Sequence, residues 1–514
     1  MPPAYPKGST LSQRRAYKAL HAFCLDPASA EASSVLCGYA GTGKTWLAVH
    51  LIQAVCAQGL RVAVCAPTHK AIAVISAKLT PSARQRVWYG TLHALLGLKL
   101  RETHEGGMDA TLDRNPKTLY FESYDVVFID ESSMVGPDLL AYIERFQRGA
   151  RTRVVYIGDP GQLAPVVQRA RPEGSAQGQL ALAEEPASVP PVFARSAPRY
   201  DLQEIVRQKS TGRPHPIVQF AQEIRRYIEH EADGVFDPAA ISAYLAAHAA
   251  DMVVVRKAQA RDVAAGAISL RKRRPAKDIR VLAWRNRVVD THNRLIHEGL
   301  ASLYGHAATA TSAHAPFWPG ETIIARETLY GFRAQAAMAQ QDAKTWEEAL
   351  APLETAQQRK DPERTRRDAL VALIANNTEM VVRSCEPWRH PYLDIDSYRI
   401  EAQEAADAEA ITLFVAADPR AYDRLVRKTW DGYRSSASRR PEDFRRAWAV
   451  TRACAPVMHG YAMTAHKAQG STFDYALIDV ADLAYMIAAA GADDYHRALY
   501  VAVTRAAEQV WLCL

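Results

Sequence analysis

The chain has 514 residues, 48% of them hydrophobic and 23% charged, and its 63 Lys and Arg against 56 Asp and Glu leave a net charge of +7. At roughly 150 residues per domain this length predicts three to four domains and more than one core, which excludes a small scaffold held by disulfides. The mild basic excess suits a polyanionic partner and an ordinary charged surface equally well. The seven cysteines (Cys24, Cys37, Cys56, Cys65, Cys385, Cys454 and Cys513) form no C-x-x-C pair, which predicts a reducing compartment and no zinc site. The first residues, Met1 to Lys7, lack the apolar stretch of a signal peptide, and no run approaches about 18 apolar residues, so the expectation is a soluble cytoplasmic protein with no membrane partner.

A helical pattern over residues 14–23 opens the chain, with Ser12 as its N-cap. The Gln13 amide could donate and accept at once to read N6 and N7 of an adenine, although a surface glutamine fits the same position. Apolar Val35-Leu36 then runs into Gly38-Tyr39-Ala40-Gly41-Thr42-Gly43-Lys44-Thr45 and an apolar helical stretch. The spacing G-x-x-x-x-G-K-T between a strand and a helix predicts a phosphate loop. Its backbone N–H groups and helix N-terminus wrap a phosphate, Lys44 neutralises the β- and γ-phosphates, and Thr45 holds Mg²⁺. A second strand, residues 61–66, leads into Pro67-Thr68-His69-Lys70 and another helix, a βαβ unit that sets this loop at the same sheet edge. The polar stretch 98–118, which contains Gly106-Gly107, reads as a small hairpin.

Residues 124–129 read as a buried strand ending in Asp130-Glu131. Such a carboxylate pair suits Asp130 to share Mg²⁺ with Thr45, and Glu131 to polarise an attacking water. A further strand, 153–157, runs into Gly158-Asp159-Pro160-Gly161-Gln162 and sets Gln162 to bridge the γ-phosphate. Residues 169–198 read as a long loop. After it comes Arg207, which could complete a nucleotide site or stand as a surface cation. Residues 217–268 have a helical pattern, and Arg271-Lys272-Arg273-Arg274 reads as a solvated turn. A strand at 279–283 and a helix at 286–296 begin a second α/β unit. Residues 325–455 read as an insert, a small β-barrel with helical excursions. Its helical patterns lie at 340–353 and 363–374, and strand-like alternation at 378–385 and 398–415.

Taken in order, Gln13, GYAGTGKT, APTHKA, TLHALLGL, IDESS, GDPGQLAPV, EIVRQ, TAHKAQGST and LYVAVTRA resemble the motifs of superfamily 1B helicases of the RecD and Dda-like group, over the whole chain. The resemblance implies two RecA-like parallel-sheet motor domains, a small hairpin insertion in the first, and an SH3-like β-barrel plus helical insertion in the second. The implied boundaries are 1–97 with 119–208 for the first motor domain and 98–118 for its pin. The second motor domain takes 209–324 with 456–514, and 325–455 is its accessory insert. By resemblance Gln13, Gly41, Thr42, Gly43, Lys44, Thr45 and Gly470 bind ATP, and Thr45 and Asp130 hold Mg²⁺. Glu131 is the base, Gln162 senses the γ-phosphate, and Arg207 and Arg505 reach it from the second domain. Pro67, Thr68, His69, Thr91 and His93 on one domain, with Thr464, His466 and Lys467 on the other, correspond to single-strand DNA contacts. Ala164 departs from the proline usual in relatives.

The implied activity is ATP-driven 5′-to-3′ movement on single-stranded DNA with unwinding of forked duplex, by a monomer, with single-strand-binding or replication proteins as further partners. Two alternatives stay open on sequence: a translocase or nuclease-complex motor that displaces proteins without unwinding, and an RNA-directed helicase.

Overall fold

The computed structural model describes residues 5–26, 31–66, 69–102, 108–112, 118–148, 150–164, 190–195, 197–204, 215–248, 253–255, 259–303, 316–332, 343–350, 371–404, 408–436 and 440–514. Backbone contacts divide the chain into two units, residues 1–258, 276–285 and 464–514, and residues 259–275 and 286–463.

The first unit opens with α1 (Leu11–Leu25), β1 (Ser33–Gly38), α2 (Lys44–Ala57), β2 (Val62–Ala66), α3 (His69–Lys78), α4 (Pro81–Arg86), β3 (Val87–Thr91) and α5 (Leu92–Leu96). It continues with a hairpin of β4 (Leu98–Glu102) and β5 (Met108–Leu112), then β6 (Val126–Ile129), α6 (Pro137–Gln147), β7 (Arg153–Gly158) and β8 (Arg199–Leu202). Six of these strands form one sheet in the order β3-β2-β6-β7-β1-β8, and every pairing in it is parallel. A parallel sheet is covered on both faces, so its strands are near-continuous apolar runs, and β1, β2, β6 and β7 are buried at every position. Alternate residues serve opposite faces: Leu36, Val64, Phe128 and Ile157 pack in one core with Leu47 and Leu51 of α2, and Cys37, Cys65, Ile129 and Tyr156 in another with Leu92 and Ile143. Burying a leucine such as Leu47, which is fully inaccessible, contributes about 1.5–3 kcal/mol.

The same unit holds α7 (Pro216–Ile228), α8 (Pro238–His248), β9 (Val253–Val255) and β10 (Ile279–Ala283). The second unit ends within β18 (Ala462–Thr464), and the chain then completes the first unit with α14 (Ala465–Ala468), β19 (Phe473–Asp479), α15 (Val480–Ala489), α16 (Ala492–Thr504) and β20 (Ala506–Cys513). Strands β10, β19, β20 and β9 lie side by side, all parallel. The fold is therefore α/β with two RecA-like parallel sheets, and β4 and β5 pair antiparallel from Leu98↔Leu112 to Glu102↔Met108 as the small hairpin of the first.

The second unit begins with α9 (Ala260–Arg273) and α10 (Asn286–Leu303). Its strands are β11 (Thr322–Ala325), β12 (Leu329–Phe332), β13 (Val371–Ile374), β14 (Glu379–Arg389), β15 (Asp396–Gln403), β16 (Ile411–Ala416) and β17 (Val457–His459). They form a seven-stranded antiparallel sheet in the order β13-β12-β16-β15-β14-β11-β17; β12 to β16 fall within the expected insert 325–455, whereas β17 lies beyond it and β11 reaches it only at Ala325. The helices α11 (Ala343–Leu350), α12 (Pro419–Ser435) and α13 (Pro441–Ala453) accompany it.

Four local expectations are corrected. The first helix is capped by Thr10, not Ser12: the Thr10 hydroxyl accepts from the Gln13 N–H while the Gln13 side chain accepts from the Thr10 N–H, a capping box. The Arg271–Arg274 run is the C-terminal end of α9, where cations favour the helix dipole, and not a turn. Residues 371–374, at the end of an expected helix, are strand β13; the remainder of 363–374 lies outside the described residues. The helical pattern over 217–268 is broken by β9, a three-residue strand too short to show a period. Most of the expected loop 169–198 also lies outside the described residues, and β8 follows it. Among the described residues no helix is long and apolar enough to cross a membrane.

Candidate nucleotide and single-strand site

The phosphate loop joins β1 to α2 inside the first unit, and Gly43 caps α2 from a left-handed φ of 82°. A side chain there would strain the backbone and place a Cβ 2.8 Å from Gln13 Nε2. At Gly38 a Cβ would sit 2.6 Å from Thr42 Oγ1. Gln13 is buried, and its Nε2 donates to the Thr42 carbonyl at 2.9 Å while its Oε1 accepts from Thr10 N–H at 2.9 Å. Both ends of the amide thus hold the loop and the start of α1. Lys44 Nζ donates to the carbonyls of Gly38 at 2.6 Å and Tyr39 at 3.0 Å. Gly41 also has a positive φ of 85°, and Thr45 lies in the first turn of α2.

Asp130 follows β6 at the carboxyl edge of the sheet, buried, with its Oδ1 accepting from Glu131 N–H at 2.9 Å. Burial, then the Glu131 carboxylate, raise Asp130 well above the usual carboxylate range, against a smaller lowering by that N–H bond and by Lys44 and Lys78. A divalent cation would reverse this balance, so the donor set of Asp130 and Thr45 fits Mg²⁺. Glu131 is held at φ 49°, a left-handed conformation rare for a glutamate and one that costs of order 1–3 kcal/mol at sites of this kind. Its Oε1 lies 3.7 Å from where a Cβ on Gly470 would be.

Gln162 is buried and bridged to the second sheet's segment. Gln469 Nε2 donates to Gln162 Oε1 at 2.9 Å and to Ser133 Oγ at 3.0 Å. Arg497 donates to the carbonyls of Pro160 and, at 3.3 Å, Gln162. The Tyr500 hydroxyl donates to Asp159 Oδ2 at 2.7 Å and accepts from Ala40 N–H of the phosphate loop at 3.2 Å. The Arg225 guanidinium, on α7, covers the Tyr39 ring and pairs with Glu229. A pocket beside the loop is lined by Tyr39, Ala40, Gly41, Arg225, Tyr500 and Thr504, among others. Gln469, Arg497, Tyr500 and Arg225 carry polar links of this site and were not singled out from sequence. The available signal was a tyrosine inside the apolar run 498–503 and a glutamine between Ala468 and Gly470.

The two expected arginines fare differently. Arg207 lies outside the described residues. Arg505 is buried, and its donors go to the carbonyls of Val501 and Ser471, both at 3.1 Å, and to Thr504 Oγ1 at 3.0 Å. Of the expected strand contacts, Pro67 and Thr68 lie outside the described residues, and only the backbone of His69, at the start of α3, is described. Thr91 ends β3 opposite Ala66, the last residue of β2. Its hydroxyl caps α5 through Ala94 N–H, and burial lowers the pKa of His93 in that helix. Thr464 caps the short α14 by accepting from Lys467 N–H at 3.2 Å. Burial takes His466 down to about 4, so this ring is neutral at pH 7.

Residues 12–237 match the family model of an AAA domain, and residues 459–513 that of a UvrD-like helicase C-terminal domain. A curated protein, uncharacterized protein R530 of Acanthamoeba polyphaga mimivirus, is 28% identical over 141 residues, covering 26% of this chain and 28% of its own length. The fold is also similar to the Pif1 helicase from Candida albicans, at 15% identity and a TM-score of 0.44, covering 98% of this chain and 94% of that one. It is similar too to the Pif1 helicase from Bacteroides in complex with ADP-AlF3 and ssDNA, at 16% identity and a TM-score of 0.44, covering 98% and 92%.

Proposed function

Because the chain is a superfamily 1 helicase, with an AAA domain and a UvrD-like helicase C-terminal domain, we propose that it belongs to the RecD and Dda-like branch and hydrolyses ATP to move 5′ to 3′ on single-stranded DNA, unwinding forked duplex as a monomer. The observation that carries this reading is the bond from Gln469 to Gln162. It joins the TAHKAQGST segment, which holds the strand-contact candidates Thr464, His466 and Lys467, to the turn expected to sense the γ-phosphate.

In the proposed cycle Lys44 and the loop N–H groups bind the phosphates, Asp130 and Thr45 hold Mg²⁺, and Glu131 positions water. A bound Mg²⁺ supplies charge neutralisation on the phosphates. Arg207 and Arg505 are proposed as fingers, a role that typically supplies 10³ to 10⁵ in rate, about 4–7 kcal/mol. Arg505 would have to exchange its carbonyl partners to act so. The proposed motor domains are 1–97 with 119–208 and 209–324 with 456–514, the pin 98–118 and the accessory insert 325–455. Single-strand contacts fall to Pro67, Thr68, His69, Thr91 and His93 on the first.

The test is strand displacement by the purified chain on paired 5′-tailed and 3′-tailed duplexes, with ATPase stimulation by DNA and RNA oligonucleotides alongside. Unwinding of the 5′-tailed substrate with preferential DNA stimulation is expected. Unwinding only from a 3′ tail refutes the polarity, RNA preference refutes the substrate, and DNA-stimulated turnover without displacement leaves a translocase.

A further inference from the structure

The second unit contains a cluster remote in sequence from every nucleotide motif. His297 lies on α10, Glu321 in the turn that enters β11, and His459 at the end of β17, which pairs with β11 in the register Ile323↔His459. Both histidines present Nδ1 to one carboxylate oxygen, Glu321 Oε1, at 3.1 Å from His297 and 2.6 Å from His459. The three atoms lie within 4.8 Å of one another. The Glu321 side chain is wholly inaccessible, while the two rings keep 17% and 19% of their surface. The groups are held from outside. Trp318 N–H donates to the other oxygen, Oε2, at 3.2 Å, the Trp318 ring stacks on His297 at 4.1 Å, and Phe317 packs on His459 at 4.7 Å.

A fully buried carboxylate requires compensation by positive charge or by several donors. Here the compensation comes from two imidazoles aimed at one point. Ligand atoms 2.0–2.1 Å from a tetrahedral ion stand about 3.3 Å apart. The two edges at Glu321 Oε1, 3.1 and 2.6 Å, need to open by several tenths of an ångström, and the edge between the histidines, within 4.8 Å, to settle near the same length, with each ring carrying its proton on Nε2. Two nitrogens and one oxygen suit zinc and its neighbours, and do not suit Mg²⁺ or Ca²⁺, which take oxygen ligands.

We propose that His297, Glu321 and His459 bind one divalent transition-metal ion of the zinc class, which clips α10 to the β11 and β17 edge of the antiparallel sheet. The expectation of no zinc came from the cysteines, and a site of imidazoles and a carboxylate needs none of them. The Trp318 N–H and the stacked indole then act as the supports that fix carboxylate and ring orientation around a bound ion.

The test uses the full chain with any polyhistidine tag removed, stripped with a chelator and titrated with ZnCl₂ and, separately, CoCl₂. Expected are one ion per chain, a raised melting temperature, visible d–d bands of tetrahedral Co(II), and X-ray absorption at the zinc edge showing two imidazoles. His459→Asn and Glu321→Gln should each weaken Zn²⁺ binding at least 100-fold, while Asp130→Asn, which alters the proposed Mg²⁺ site, should leave it unchanged. Absence of stoichiometric binding below about 100 μM, or an absorption spectrum with oxygen scatterers only, overturns the proposal. So does Zn²⁺ affinity equal in wild type and His459→Asn. If a variant fails to fold, the wild-type absorption spectrum decides alone.

Discussion

Tyr500→Phe removes one oxygen from a fully buried contact of the nucleotide site. That oxygen donates to Asp159 Oδ2 at 2.7 Å and accepts from Ala40 N–H at 3.2 Å. After the change the fully buried Asp159 retains the Gly161 N–H, which donates to its Oδ1 at 2.9 Å. Burial and Asp159 push the Tyr500 phenol far above its ordinary range, so it stays neutral and donates at all working pH values. A hydrogen bond to a charged group contributes about 1.5–3 kcal/mol, and loss of that amount is expected in urea unfolding. The freed Ala40 N–H belongs to the phosphate loop, so KM for ATP should rise about three- to tenfold, up to about 1.4 kcal/mol. Tyr495→Phe is the matched control. Its hydroxyl donates to the Phe236 carbonyl at 3.0 Å from the same helix, and it should lower stability while leaving KM alone. Tyr500→Phe with stability within about 0.5 kcal/mol of wild type and unchanged KM would refute this account of the contact.

Lys44→Ala should abolish ATP turnover while single-strand binding, followed by fluorescence anisotropy, persists; DNA-stimulated hydrolysis in that variant contradicts the site assignment. Gln469→Ala removes the bonds to Gln162 and Ser133, and should reduce DNA stimulation of ATPase at least tenfold with little change in ATP affinity, measured by steady-state kinetics with and without oligonucleotide. For Arg505→Ala the expectation is weak turnover with near-normal ATP binding, together with a lowered melting temperature from the lost carbonyl bonds; loss of nucleotide binding would place its role elsewhere. Burial lowers His390 to about 4, against a smaller opposing effect of the Ala453 carbonyl. The unfolded chain therefore takes up a proton that the folded one refuses, and stability falls as pH drops from about 6.5 to 4, by about 3 kcal/mol in full. Tryptophan fluorescence in urea at stepped pH checks this, and a His390→Gln variant with the same slope would reject that histidine as the cause.

Much of the site was legible because its chemistry is local. The glycines and lysine of residues 38–45 work through their own backbone, and Asp130 and Gln162 each follow a strand whose unbroken apolar run announces a buried parallel sheet. Pairings such as Gln469 with Gln162 join residues 307 positions apart, and no spacing rule connects them. Gln13 carries a structural role beyond the one expected of it. Its amide chemistry suited adenine, yet the Thr10-x-x-Gln13 pattern was a capping box in plain view, and the structure engages both of its ends with protein. Strand β13 was read as helix because four apolar residues, Val371 to Ile374, carry no decisive period and their strand identity comes from pairing with β12.

The bonds from Lys44 to its own loop bear on what may replace it. An ammonium has three protons, and two are committed to the Gly38 and Tyr39 carbonyls, so the turn itself aims the third. Recognition is thereby built as a compact tetrahedral pointer whose direction is set by main chain. A planar guanidinium cannot reproduce that aim while satisfying both carbonyls. Conserving charge at position 44 is therefore insufficient, and Lys44→Arg should be nearly as inactive as the alanine variant.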